Sequence, residues 1–214
     1  YLMARRYRIQ STLPYFIPIP LFLGTFGAFI QLRSPVPNRR ALFDVGLAGP
    51  LAGFVITLPL LVWGLAHSEV IPLGEEASLL NFQAMDPAAS VALTLLSKLA
   101  LGSQLTAENA IALHPVAVAG CMGLVVTALN LMPVGQLDGG HIVHAMYGQK
   151  TGVIVGHVSR FLVLGLVAVH PELLIWAILL FFISAVDEPA LNDVSQLDNR
   201  RDLWGLAALT ILIL

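Results

Sequence analysis

Residues 128–141 read A-L-N-L-M-P-V-G-Q-L-D-G-G-H and close an uncharged, mostly apolar segment that begins at residue 115. The first charge after that segment is the carboxylate of Asp138, and Gly139 and Gly140 follow it directly. A carboxylate deep in a bilayer costs about 2.5–3.5 kcal/mol, so it needs a counter-charge, a water-filled cavity or a metal ion. The glycines let the backbone turn and let another chain or an ion come close. This pattern is typical of a functional site.

The composition of the whole chain indicates a polytopic membrane protein. Hydrophobic residues make up 57% of the 214 residues and charged residues 11%, against roughly 25% charged residues in ordinary globular domains. The mean hydropathy is +0.82. The net charge of −2 comes without a basic patch, so no nucleic-acid partner is expected. The single cysteine, Cys121, leaves no second thiol for a disulfide within the chain.

Several apolar segments predict an all-α polytopic fold with about five transmembrane helices. The segments are residues 45–66, 115–137, 151–169, 173–186 and 203–214. The last has 12 residues and is predicted to be a truncated span, because a crossing needs about 20 residues. We interpret residues 1–214 as one membrane domain. Residues 67–114 form its extramembrane loop, with a short surface helix at 87–101 and turns elsewhere.

Residues 13–30 are also uncharged, but they contain three prolines and two glycines: Pro14, Pro18, Pro20, Gly24 and Gly27. Prolines at these positions exclude a straight helix. We expect either an extended or re-entrant excursion, which needs protein or water beside its backbone, or a Pro-rich interfacial loop.

The cations predict the orientation in the membrane. When the segments are assigned to alternate sides, nine cations fall on one side and Lys98 alone on the other; the nine are Arg5, Arg6, Arg8, Arg33, Arg39, Arg40, Lys150, Arg200 and Arg201. Positive charge marks the cytoplasmic face, or the stromal face in a plastid. The loop at 67–114 is therefore expected outside, and Asp138 near the inner side of the membrane.

Four positions make the central stretch more specific. Asn130, Pro133, Asp138 and Gly139 fit the pattern Asn-x-x-Pro-x-x-x-x-Asp-Gly, which resembles the second signature of the site-2 protease family of intramembrane zinc metalloproteases. Further similarity lies in Y-L-M-A-R-R-Y at residues 1–7, in P-L-F-L-G-T-F-G-A at 20–28 and in F-D-V-G-L-A-G-P-L-A-G at 43–53. These resemble, in turn, the end of the family's zinc-binding helix, its membrane-associated β-hairpin and the start of its next helix. The Pro-rich segment resembles the cyanobacterial and plastid branch.

The resemblance implies a function and a role for each motif residue. Asp138 would be the third protein ligand of a catalytic Zn²⁺, and Asn130 would orient the substrate or stabilise the oxyanion. Pro133 would break the helix so that Asp138 turns inward, and Gly139 completes the motif. The reaction would be hydrolysis of peptide bonds in transmembrane segments of other proteins. The implied setting is the lipid bilayer of a bacterial inner membrane or of a plastid or thylakoid membrane.

The family's first signature, His-Glu-x-x-His, is absent from these 214 residues. By the resemblance we expect the native chain to continue upstream into a helix that carries it, and we expect the 214 residues alone to be inactive. Two alternatives stay open: a catalytically inactive pseudo-protease that binds membrane partners, and a metal site of the form Asp-x-x-His-x-x-His at Asp138, His141 and His144. A transporter is disfavoured, because the halves of the chain show no inverted repeat.

Overall fold

The computed structural model describes residues 1–13, 15–19, 24–72, 85–86, 90–102 and 109–211. Some of the predictions above fall outside these ranges: Pro14, Pro20, the start of the surface helix at 87–89, much of the acidic loop including Glu75, Glu76 and Glu108, and the last residues of the truncated span. The described part is mostly helical. It divides into two compact units, one built from residues 1–50 and 129–212 and the other from residues 51–128.

Helix α2 (Arg39–Ala66) is the membrane-type helix of the described part. It has 28 residues, and within the ranges given above it alone is both long and apolar enough to cross a membrane. It contains the predicted span at 45–66. The other predicted spans correspond to shorter or less apolar helices: α4 (Pro115–Leu131), α6 (Gln149–Leu166), α7 (Leu174–Phe182) and α8 (Asn199–Ile211). The predicted count of five spans is therefore not confirmed.

The Pro- and Gly-rich segment forms a β-hairpin, as the resemblance implied. Strands β1 (Tyr15–Ile19) and β2 (Gly24–Phe29) pair antiparallel, with Tyr15 opposite Phe29 and Ile19 opposite Gly24. The register shifts between Phe16 and Pro18. A proline has no N–H to donate to a neighbouring strand, which explains why the ladder is irregular there.

The first unit also contains the short helix α1 (Leu2–Arg6) and helix α5 (Asp138–Tyr147). A polar cluster joins α1, α2 and α8: the Tyr7 hydroxyl donates to Asp44, and Arg201 Nε donates to Asp44 Oδ1 at 2.8 Å. Arg160 of α6 is buried and donates to the carbonyl oxygen of Ile183, which follows α7. These contacts fix the ends of helices that are distant in sequence.

The second unit corrects one expectation, because two strands stand where the sequence predicted only turns around a surface helix. Strands β3 (Glu69–Pro72) and β4 (Asn109–Ala112) pair antiparallel. Helix α3 (Val91–Leu101) begins at Ser90, whose hydroxyl accepts the N–H of Leu93. Leu61, Leu65, Ile111 and Ala117 are buried together. Ile111 thus anchors β4 on the same apolar cluster that α2 uses.

Small residues let α2 and α4 pack closely and antiparallel within this unit. A Cβ added at Gly120 would lie 2.8 Å from Leu61 Cα, and one at Gly64 would lie 2.3 Å from the Ala117 nitrogen. A Cβ at Gly123 would lie 2.2 Å from Thr57 Cγ2. Helices in a lipid environment associate through such small-residue contacts, because apolar burial alone gives no driving force there.

Candidate active site

The motif lies at a break between two helices. Helix α4 ends at Leu131, six irregular residues follow, and α5 begins at Asp138. Pro133 lies inside this break, as predicted, and its missing N–H and fixed φ oppose continuation of the helix. Two backbone hydrogen bonds close the break, from Val134 N to Met132 O at 2.7 Å and from Leu137 N to Val134 O at 3.0 Å. The break reorients the chain immediately before the carboxylate.

Asp138 occupies the first turn of α5 and is half-buried. A carboxylate there interacts favourably with the unpaired N–H groups at the N-terminus of a helix. Its side chain lies against α2, where a Cβ at Gly49 would come within 2.8 Å of Asp138 Oδ2. In the described part of the chain no side chain donates a hydrogen bond to this carboxylate. Asp138 is thus held in place by backbone packing, with its oxygens available to a ligand.

Gly139 is required for a steric reason. A Cβ at this position would lie 1.9 Å from the carbonyl oxygen of Leu131, the last residue of α4. Contacts below about 3 Å do not occur for real Cβ atoms, so any other residue would push α5 away from the end of α4. The motif glycine therefore fixes the distance between the two helix ends.

Asn130 is the penultimate residue of α4, and its side chain is exposed. Its amide makes no hydrogen bond to any residue that the structure describes. The amide can therefore both donate to and accept from a bound peptide. No direct contact joins Asn130 to Asp138 among the described interactions, although the break brings both to the same junction.

A second polar group lies along α5, and the sequence did not predict it. The Nδ1 atoms of His141 and His144 lie 2.8 and 2.9 Å from the same oxygen, Asp187 Oδ2. His144 is 1% exposed, and its Nε2 lies 3.1 Å from Asp193 Oδ1. Arg39, at the start of α2, donates to that same Asp193 oxygen at 2.9 Å. This network joins α5, the segment 183–198 and α2.

The charges in this network stabilise one another. Burial disfavours the ionised form of Asp187, but the hydrogen bonds and charges of His141 and His144 outweigh it and hold the pKa of the carboxyl below its ordinary value. Burial likewise disfavours the protonated form of His141, but the hydrogen bond to Asp187 and its charge outweigh it and raise the pKa of the imidazole. Asp187 and His141 therefore each favour the charged form of the other.

These contacts decide the question of a metal site at Asp138, His141 and His144. Both histidines direct a ring nitrogen at Asp187, and within the described residues no three His, Cys, Asp or Glu side chains converge on one point. Catalytic zinc takes three protein ligands and a water. Asp138 is a suitable oxygen donor for one of them, but the described residues do not form a complete zinc centre.

Comparison with known proteins agrees with the motif. The chain is similar to a class of proteins named as probable zinc metalloproteases. Within that class it belongs to peptidase family M50, whose family model matches residues 2–168. The cofactor of this family is zinc.

Relatives that the chain resembles include two plant proteins. One is "Probable zinc metalloprotease EGY1, chloroplastic" of Arabidopsis thaliana, which is 33% identical over 216 residues covering 100% of this chain and 39% of that protein. The protein of the same name from Oryza sativa subsp. japonica is 34% identical over 213 residues, or 99% of this chain and 35% of that protein. The chain thus spans well under half of their length. No solved structure matches it significantly.

Proposed function

We propose that this chain is part of a zinc-dependent endopeptidase that hydrolyses peptide bonds inside the transmembrane segments of other proteins. The observation that carries the proposal is the α4–α5 junction. There a carboxylate without a hydrogen-bond donor among the described residues and an exposed amide flank a proline break, in a chain of family M50. The metal supplies a polarised water and charge stabilisation to such a reaction.

In this proposal Asp138 is a zinc ligand and Asn130 acts on the substrate. Gly49 leaves room for the Asp138 side chain beside α2, which restricts the directions in which its oxygens can point. Asn130 presents a neutral amide that can hydrogen-bond to the carbonyl of the scissile bond without adding a charge. Catalytic zinc also needs two more protein ligands and a general base, and the described residues do not bring such a set together at Asp138.

The proposed setting is a bilayer, as a multi-pass protein of a bacterial inner membrane or of a plastid membrane. Helix α2 has the length and apolarity for one crossing, and large apolar side chains are exposed along α6 and α7, among them Phe161, Leu162 and Phe182. Lipid or the transmembrane segment of a substrate would cover them. An unwound substrate could add a strand to the β1–β2 hairpin, which would expose its peptide bonds.

A pseudo-protease is the second candidate, because no three possible metal ligands converge among the described residues. Such a protein would bind transmembrane partners at the same junction without cleaving them. Cleavage by the full-length protein separates the two functions.

The test uses the full-length protein, reconstituted with a panel of single-span membrane proteins and assayed for cleavage products within the span. We expect cleavage by the wild type, none by Asp138→Asn, and a rate about 10²–10³ lower for Asn130→Ala, the usual effect of losing one oxyanion donor. Asp202→Asn, the same change in α8, should cleave like the wild type. Equal cleavage by Asp138→Asn would exclude the assigned role, and absence of cleavage by the wild type would favour the pseudo-protease.

A further inference from the structure

We propose that a pocket formed by Arg5, Arg8 and Arg33 binds the anionic headgroup of a membrane lipid. The pocket has a volume of about 540 Å³, and Ser11 and Gln10 also line it. None of the residues that line it belongs to the α4–α5 junction. It can therefore be tested without measuring cleavage.

Backbone pairing builds this pocket. The N–H of Arg33 donates to the Gln10 carbonyl at 2.7 Å, and the N–H of Gln10 donates to the Ser34 hydroxyl at 2.9 Å. The N–H of Arg8 donates to the Arg5 carbonyl at 3.0 Å, which turns the chain at the end of α1. Three arginines from two segments are thus attached to one paired framework, so the pocket is a property of the fold and not of a run of basic sequence.

The three guanidinium groups have no counter-charge among the residues that the structure describes. No acidic residue lines the pocket, and none of the three forms an ion pair with any residue that the structure describes. Arg5 instead lies over the ring of Tyr1, with its Cζ 5.7 Å from the ring centroid. By contrast, Arg39 and Arg201 bind Asp193 and Asp44. Guanidinium groups match the geometry of phosphate and sulfate oxygens, to which they can donate in pairs.

Arg8 adds an independent sign of function. Its φ is +57°, and it is the one residue other than glycine with a positive φ in the described part. A left-handed conformation at such a residue is strained, and such strain is concentrated at ligand sites. The Oγ atom of Ser11 is buried and lacks a partner among the described residues, so it is an unused donor in the pocket lining.

Lipid fits this pocket better than a free anion does. Leu2 and Leu13 are 81% and 67% exposed. In the sequence, Leu2 follows Tyr1 and Leu13 is two residues after Ser11, and both Tyr1 and Ser11 line the pocket. Apolar side chains next to a basic pocket suit a ligand that carries both an anionic head and acyl chains. The arginines also belong to the predicted cytoplasmic or stromal side, and basic pockets on that side of membrane proteins bind anionic headgroups.

The test measures the thermal unfolding midpoint of the full-length protein in a neutral detergent while one of three additives is titrated: phosphatidylglycerol, phosphatidylcholine or inorganic phosphate. A ligand that binds the folded state raises the midpoint as its concentration increases. We expect phosphatidylglycerol alone to do so. Arg5→Gln and Arg33→Gln should each weaken the apparent affinity about fivefold, since one cation near a membrane contributes about 1 kcal/mol.

Arg8→Gly is the decisive variant. Glycine adopts a positive φ without strain, so this change should remove the guanidinium and leave the midpoint without lipid equal or higher. The response to phosphatidylglycerol should weaken about fivefold or more. Arg200→Gln, the same loss of charge at an exposed position of α8, serves as the control and should respond like the wild type. An equal response to phosphate, or a loss in Arg200→Gln as large as in Arg8→Gly, would overturn the proposal.

Discussion

Asp187 shows how one side chain can position a whole helix. Its Oδ2 atom holds two residues of α5, His141 and His144, which lie almost one helical turn apart. The amide of Gln149 in α6 donates to the Asp187 carbonyl oxygen at 3.0 Å. Asp138 stands at the other end of the same short helix, which has 10 residues. Asp187 therefore helps to set the orientation of α5, and with it that of Asp138.

Removing this carboxylate should destabilise the protein. We expect Asp187→Ala to lower the free energy of unfolding by about 3 kcal/mol, because it leaves the Nδ1 atoms of His141 and His144 without their shared carboxylate. Asp187→Asn should cost less, since an amide oxygen still accepts one hydrogen bond. Glu188→Gln, at the exposed neighbouring position, should have no measurable effect. Chemical or thermal unfolding in detergent measures all three, and equal stability of Asp187→Ala and Glu188→Gln would refute the positioning role.

The same pair predicts how stability changes with pH. The raised pKa of His141 stabilises the folded state below histidine's ordinary pKa, and this contribution is lost as pH rises through the raised value. The lowered pKa of Asp187 stabilises above the ordinary carboxyl pKa and is lost as pH falls through the lowered value. The wild type should therefore lose stability as pH rises above the ordinary histidine pKa, and Asp187→Asn should lose less. If the stability of the wild type and that of Asp187→Asn change equally with pH, the pairing of Asp187 with His141 does not cause the pH dependence.

The sequence predicted the individual residues of the motif, but not Asp187, the residue that holds α5 in place. Asn130, Pro133, Asp138 and Gly139 are separated by short, characteristic spacings, and the structure places all four at one junction. These spacings are local, so they can be read from the sequence. Asp187 lies 46 residues from His141 and 43 from His144. Its loop also contains other acidic residues, so no local pattern distinguishes it from its neighbours.

The packing of α2 against α4 depends on glycines. Gly64 and Gly120 permit contact between the backbones of α2 and α4 in the unit formed by residues 51–128. Gly49 and Gly53 lie four residues apart in α2, a spacing that predicts close packing of helices in lipid. The structure places Thr127 of α4 against Gly53, and Asp138 against Gly49. The spacing thus indicated the correct face of the helix, but not that one of these glycines would border the candidate site.

Adding a side chain where α2 and α4 are in contact should separate these two helices. Gly120→Val would place a Cβ 2.8 Å from Leu61 Cα, and overpacking of this kind costs about 1–3 kcal/mol. Gly165→Ala in α6 is the matched control, because a Cβ there meets nothing within 4 Å. It should stabilise the helix by about 0.5–1 kcal/mol through its higher helix propensity. Unfolding midpoints measure both variants, and a neutral Gly120→Val would show that α2 and α4 are not in close contact.

The strands show where local patterns stop being informative. The prolines and glycines of residues 13–30 excluded a helix, and the structure contains the β1–β2 hairpin there. Strands β3 and β4 were not predicted, because each has only 4 residues and their partners are about 40 residues apart in the sequence. Pairing over that distance depends on the apolar cluster around Ile111, which no local window contains.

For the whole molecule, the charge pattern predicts which residues face each side of the membrane. Residues 67–114 should face the periplasm or lumen, and residues 187–202 the cytoplasm or stroma. Single cysteines at the exposed positions Glu69 and Val194, in a Cys121→Ser background, test this prediction. In sealed cells or vesicles of known orientation, an impermeant maleimide should label the two positions from opposite sides. Equal labelling of both from one side would refute the orientation.

The zinc content of the full-length protein tests whether Asp138 binds the metal. The wild type and Asn130→Ala should each carry about one zinc per chain, because Asn130 is not a ligand in this account. Asp138→Asn should lose most of its zinc, since a neutral amide is a poor replacement for a carboxylate on a divalent ion. Elemental analysis of the three purified proteins measures this. Loss of zinc in Asp138→Asn alone is the predicted result, and a full zinc equivalent in that variant would contradict the assignment of Asp138 as a ligand.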